Sequence, residues 1–106
     1  MPRARRYEMA LPIRYRSIDD ESWVNGTTVD ISRSGVMFEG ERGLEPEALI
    51  EMDLVLPHEV GGGARVIARG TVVRAVAPAT KERRPRLAAT IVDYDFVRNE
   101  RHGGSL

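Results

Sequence analysis

Asp30-Ile31-Ser32-Arg33-Ser34-Gly35 stands between two strand-like runs, and its reading decides how the rest of the chain is arranged. Asp, Ser and Gly are residues that a tight turn recruits, because short polar side chains bond nearby backbone amides and Gly tolerates positive φ. Upstream, from about Trp23 to Ile31, alternation puts Thr27, Val29 and Ile31 on one face and Thr28 and Asp30 on the other. Downstream, Val36-Met37-Phe38 reads as the returning strand, stopped by Glu39-Gly40. The hexapeptide is therefore expected to close a hairpin. Asn25-Gly26 is a turn signal in its own right. Placing the turn there would leave only Trp23 and Val24 for the preceding strand, so a bulge or bend at Gly26 is expected instead.

Working outward, Leu11, Ile13 and Tyr15 alternate with Pro12, Arg14 and Arg16, the period of a half-buried strand. Glu41 to Ala48 holds Gly43 and Pro46 without a sustained period, which predicts a loop with at most a turn of helix after Pro46. Ile50, Met52, Leu54 and Leu56 mark another strand, ended by Pro57. Gly61-Gly62-Gly63 reads as a flexible tip; a phosphate-cradling loop would need a Lys-Ser/Thr and a helix beyond it. Ala64 to Val76 predicts a long strand with a bend at Gly70, and Leu87 to Val92 the last strand. Between them, Lys81-Glu82-Arg83-Arg84 is read as a solvated loop rather than a second ligand patch. Tyr94, Phe96 and Val97 are expected to pack under the end of the fold. Many short strands without a long amphipathic helix predict an all-β antiparallel barrel.

At 106 residues the chain is the size of one domain, and 42% apolar with 30% charged residues argues for a folded one. It has no cysteine, hence no disulfide framework and no thiolate metal site. Apolar runs are too short to cross a bilayer and no signal-peptide pattern opens the chain, so a cytoplasmic protein without membrane insertion is expected. His58 and His102 stand beside no catalytic motif, no Ser occupies a nucleophile elbow, and the carboxylates lack metal-loop spacing. Neither an enzyme, a cofactor nor a metal is expected. The net charge is zero, which excludes the footprint of a non-specific nucleic-acid binder. Its distribution is uneven: Met1 to Arg16 carries five arginines against Glu8 alone.

Arg3, Arg5 and Arg6 form an arm before the first strand, and guanidinium forks suit phosphate oxygens and purine faces. Asp and Ser, for their part, can bond a guanine edge. An arginine-rich arm, a Leu11-Pro12-Ile13-Arg14-Tyr15 strand and then Asp30-x-Ser32-x-x-Gly35 resembles the PilZ domain family, whose members typically bind cyclic di-GMP. Leu87 to Ile91 and Tyr94-Asp95-Phe96 look like the family's closing strand and exit. The family's Arg-x-x-x-Arg spacing is not matched, since no two arginines of the arm stand four apart. Counted back from Leu11-Pro12, Arg6 takes the second place and Pro2 the first, with Arg3 or Arg5 left to substitute.

The resemblance implies a six-stranded antiparallel barrel over residues 11–97, with at most a short C-terminal helix around Tyr94 to Arg101. Residues 1–10 would be the arm and 98–106 a flexible tail. It also implies a ligand site made of Arg3, Arg5, Arg6, Asp30, Ser32 and Gly35, with Asp30 on a guanine edge, Ser32 on a base edge or phosphate, and Gly35 at positive φ in the turn. The function expected from it is that of a bacterial second-messenger receptor or adaptor that signals to a protein effector in motility, exopolysaccharide or virulence control. A monomer or weak dimer would suffice. The alternative is a barrel of the same family that binds no nucleotide and serves as a protein-interaction module.

Overall fold

The computed structural model describes residues 5–78 and 80–97. The expected tail and Arg3 lie outside them. Two residues, Tyr7–Glu8, form β1; β2 spans Pro12–Ser17, β3 Val24–Ile31, β4 Gly35–Gly40 and β5 Leu49–Val55. A single turn of helix, α1 (His58–Gly61), leads to the long β6 (Arg65–Val76), which is followed by β7 (Arg86–Thr90) and β8 (Asp93–Phe96).

Each pairing is antiparallel, and the ring β2-β5-β6-β7-β4-β3 closes because β3 also pairs with β2. This is the expected six-stranded antiparallel barrel. Two short strands lie outside the ring: β1 on β3 and β8 on β6. Closure removes the exposed sheet edges that invite aggregation.

Period-2 alternation drives the closure. Ile13 and Tyr15 of β2, Val36 and Phe38 of β4, Ile50, Met52 and Leu54 of β5, and Val66, Ala68 and Val72 of β6 all point inward and are buried. A fully buried aliphatic or aromatic side chain contributes about 1.5–3 kcal/mol relative to an exposed one, so this set dominates the barrel's stability. At its centre the rings of Tyr15 and Phe38 lie 4.7 Å apart and tilted by 56°. The Tyr15 hydroxyl accepts from the Arg42 amide at 3.0 Å and donates to the Arg42 carbonyl, pinning the loop after β4. Burial raises its pKa above the ordinary tyrosine value.

Local expectations are corrected at several positions. The irregularity in β3 falls between Thr28 and Asp30, not at Gly26. It turns Thr28 inward to a buried position, where its Oγ1 accepts from Leu11 N at 2.8 Å and donates to Met9 O. Gly26 stays in regular pairing with Ile13 and Gly40. The Glu41–Ala48 loop is as expected, without a helical turn after Pro46, but one helical turn follows Pro57, over part of the predicted Gly tip, and is stopped by Gly62 at φ 72°.

The segment from Asp93 to Phe96 is a strand rather than the start of a C-terminal helix, since Asp93 and Asp95 alternate with Tyr94 and Phe96. Arg69 of the neighbouring β6 bonds both acids, at 2.7 and 2.8 Å. Tyr94 and Phe96 meet edge to face at 5.5 Å; Phe96, 62% exposed, does not pack under the barrel's end, whereas Tyr94 lines a cavity with Leu56, Val60 and Ile91.

Candidate functional site

The Asp30–Gly35 stretch closes the β3–β4 hairpin as its composition predicts, and most of its polar groups are satisfied locally. Ser32 N donates to the Gly35 carbonyl at 2.9 Å, and Ser32 Oγ lies 3.3 Å from the same oxygen. The Ser34 amide donates to Ser32 Oγ at 3.3 Å and the two serine hydroxyls lie 3.4 Å apart, while Ser34 itself is exposed. Ser32 itself is buried. The turn is fixed to the rest of the barrel through Ile91 N, which donates to Ser34 O at 2.9 Å.

Gly35 is needed for a reason other than the one expected. Its φ is not positive. It opens β4 opposite Thr90, and a Cβ there would stand 2.9 Å from the Ala89 carbonyl oxygen. What glycine supplies is close approach of two strands at the mouth of the site.

The arm reaches this hairpin by strand pairing. Tyr7 and Glu8 pair with Ile31 and Asp30, and the buried Thr28 hydroxyl ties Met9 and Leu11 to β3. That register delivers Arg6 to the turn: its Nη1 donates to Asp30 Oδ1 at 3.0 Å. Arg5 is carried elsewhere, its guanidinium 5.5 Å from the centroid of the Tyr7 ring, while Tyr7 packs on the core. Of the expected set, the structure thus brings together Arg6, Asp30, Ser32 and Gly35, sets Arg5 apart, and leaves Arg3 outside the described residues.

A shallow cavity of about 450 Å³ opens here, lined by Arg6, Ser32, Ser34 and Gly35 and walled by Val73, Ala88 and Thr90. The strand-borne wall is what sequence reasoning missed. Val73 turns outward because the β6–β7 register shifts between Val72 and Arg74, a bulge of the kind that re-aims side chains beside sites. Only the barrel's closure brings β6 and β7 beside the turn. Ser34 had a legible signal as a further turn hydroxyl. The cavity offers a cation, two hydroxyls and an apolar wall next to a carboxylate, a combination suited to an anion that carries a planar ring.

The sequence profile of the PilZ domain matches residues 2–94. The chain belongs to the PilZ domain family. No curated protein matches it. Among solved structures the PilZ chain is similar to the Bacillus subtilis inhibitor of motility, MotI/DgrA, with a TM-score of 0.67 at 13% identity. The match covers 89% of this chain and 43% of that one, so this chain spans less than half the length of that neighbour. At this identity the likeness concerns the fold: the same barrel is built from a largely different sequence. Among the described residues of this PilZ domain, no helix is long and apolar enough to cross a membrane.

Proposed function

We propose that this PilZ domain is a bacterial, cytoplasmic receptor for cyclic di-GMP that passes the second-messenger level to a protein partner. The observation that carries the reading is the convergence of Arg6 with the Asp30–Gly35 turn on one cavity, although they lie 24 or more residues apart in sequence. In the bound state Asp30 would accept from the N1–H and N2–H edge of a guanine. Ser32 or Ser34 would bond a base edge or phosphate, and Arg6 would leave Asp30 to meet a phosphate oxygen. The exchange is energetically accessible, because the Arg6–Asp30 pair is solvent-exposed on the arginine side, at 66%, and such pairs contribute only about 0–1 kcal/mol. A charge-assisted hydrogen bond to a phosphate contributes about 1.5–3 kcal/mol.

A second reading, a PilZ barrel that acts only as a protein-interaction module, is favoured by one observation. Arg5 is committed to the Tyr7 ring, so among the described residues of the arm only Arg6 stands at the cavity. Calorimetric titration with cyclic di-GMP, with GTP and cyclic GMP as comparators, separates the two. Heat from cyclic di-GMP alone is expected; silence from all three nucleotides sinks the receptor and leaves the module.

A further inference from the structure

Beside the candidate nucleotide cavity, with Ala88 as a common wall, a second groove of about 380 Å³ runs between β7 and the 77–85 turn. Arg74, Arg83, Arg84 and Arg86 rim it, and Met37, Val76 and Pro78 contribute apolar surface. Arg86 is engaged: its Nε donates to Glu39 Oε2 at 3.0 Å and its Nη2 bonds the same oxygen. Among the described residues, Arg74, Arg83 and Arg84 have no carboxylate within salt-bridge distance. Glu82 stands in the same turn, but does not line the groove. In a chain with 16 basic and 16 acidic residues, three uncompensated guanidiniums on one groove are a local excess of positive charge.

We propose that this groove docks an acidic peptide segment of a partner protein, its carboxylates on Arg74, Arg83 and Arg84 and an apolar side chain on the surface between them. Guanidinium forks match carboxylates in two parallel hydrogen bonds. The groove's one carboxylate, Glu39, is bonded by both Nε and Nη2 of Arg86, so its unmatched charge is wholly positive and acidic groups are its complement; a nucleic acid is the other anion, and the test separates the two. As the output surface of a receptor the groove rests on the function proposed above; as an acidic-peptide site it is measured independently of it.

The test is fluorescence anisotropy on the full chain with a labelled Glu-Leu-Glu-Glu-Leu-Glu peptide, its Gln-for-Glu counterpart and an oligothymidylate. The acidic peptide is expected to bind, the Gln peptide about tenfold or more weaker, and the affinity to fall as salt screens the charges. The double reversal Arg83→Glu with Arg84→Glu should weaken the acidic peptide by about tenfold or more, and Arg74→Gln should weaken it to a lesser degree. Both are surface changes, and unaltered melting of each variant checks that the barrel is intact. Asp30→Ala should leave peptide binding unchanged, and the double reversal should leave any cyclic di-GMP signal unchanged. No binding of the acidic peptide, equal binding of both peptides, indifference to the Arg variants, or tighter binding of the oligothymidylate overturns the proposal. Peptide binding without any nucleotide signal overturns the receptor alone.

Discussion

Arg6 Nη1 lies 3.0 Å from Asp30 Oδ1, so the cation of the arm and the acid of the turn neutralise one another across the edge of the cavity. Asp30 is the more enclosed partner, its side chain 17% exposed against 66% for Arg6. Each is proposed to serve the ligand, whereas the pair itself does little for the fold. Arg6→Ala and Asp30→Ala should therefore each weaken cyclic di-GMP binding by about ten- to a hundredfold, the equivalent of one charge-assisted contact. Stability should stay within about 0.5 kcal/mol of the parent, as for ordinary surface substitutions. Calorimetry and a denaturant melt on the same samples check both halves, and unchanged nucleotide affinity in both variants rules out this site.

Gly35 couples the site to the barrel. A methyl group there meets the Ala89 carbonyl at 2.9 Å, inside ordinary contact distance, and the obstacle is backbone on the paired strand. Gly35→Ala should cost about 1–3 kcal/mol, the usual range for overpacking, and should displace β4 from β7 at the mouth of the cavity. Urea denaturation gives the first number. Loss of nucleotide affinity under conditions where the variant is still folded gives the second effect, and a variant as stable as the parent would show that the strands can part there freely.

The barrel was legible because its strands announce themselves locally. Ile13 and Tyr15, or Ile50, Met52 and Leu54, alternate with exposed neighbours, and alternation is a property of contiguous residues. The turn was legible for the same reason, and Asp30, Ser32 and Gly35 were named as site residues through the resemblance to the PilZ domain. Features that depend on a partner strand were not. Thr28 faces inward because of a register shift against β4, and Val73 faces the cavity because of one against β7; neither shift is written in the residues around it. Tyr94 and Phe96 were expected to pack beneath the barrel, and only Arg69 on a distant strand explains why the acids that alternate with them settle along β6. The count back from Leu11-Pro12 picked out Arg6, which reaches Asp30, but nothing along the arm told that Arg5 covers Tyr7 instead.

Tyr15 links the core to the loop after β4 through a single oxygen. Tyr15→Phe keeps the packing on Phe38 but leaves the Arg42 amide and carbonyl without that partner. A destabilisation of about 1 kcal/mol is expected, the net contribution of a neutral hydrogen bond. Because burial raises its pKa, the phenol in the folded barrel resists ionisation beyond the ordinary value of 10.0. The stability gained from keeping it neutral is present below that value and is lost as the pH rises through the folded pKa. Tyr15→Phe should therefore flatten the alkaline limb of the stability profile, and a phenolate absorbance titration should show one late-ionising tyrosine in the parent that the variant lacks.

Asp53 governs the acid limb. Its side chain, 5% exposed, bonds Arg65 Nε at 3.0 Å and Nη2 at 2.8 Å and receives Arg14 Nε at 3.1 Å, tying β2, β5 and β6 together on their outer face. The hydrogen bonds from Arg65 hold its carboxyl below the ordinary value of 3.8, against the opposing effect of burial. A lowered carboxylate pKa contributes stability that is present in full above the unfolded value and disappears as the pH falls through the folded one. The wild-type barrel should thus lose stability below about pH 4, beginning where the unfolded carboxyl first protonates. Asp53→Asn removes this titration, so its stability should change less over the same acid range. At neutral pH it should be weaker by about 1.5–3 kcal/mol for the lost charge-assisted bonds. The lower end is expected, because Arg14 and Arg65 are half exposed and water replaces part of what they lose. Urea melts of both proteins at neutral pH and below pH 4 decide it: parallel losses in acid would mean that other carboxylates control the limb.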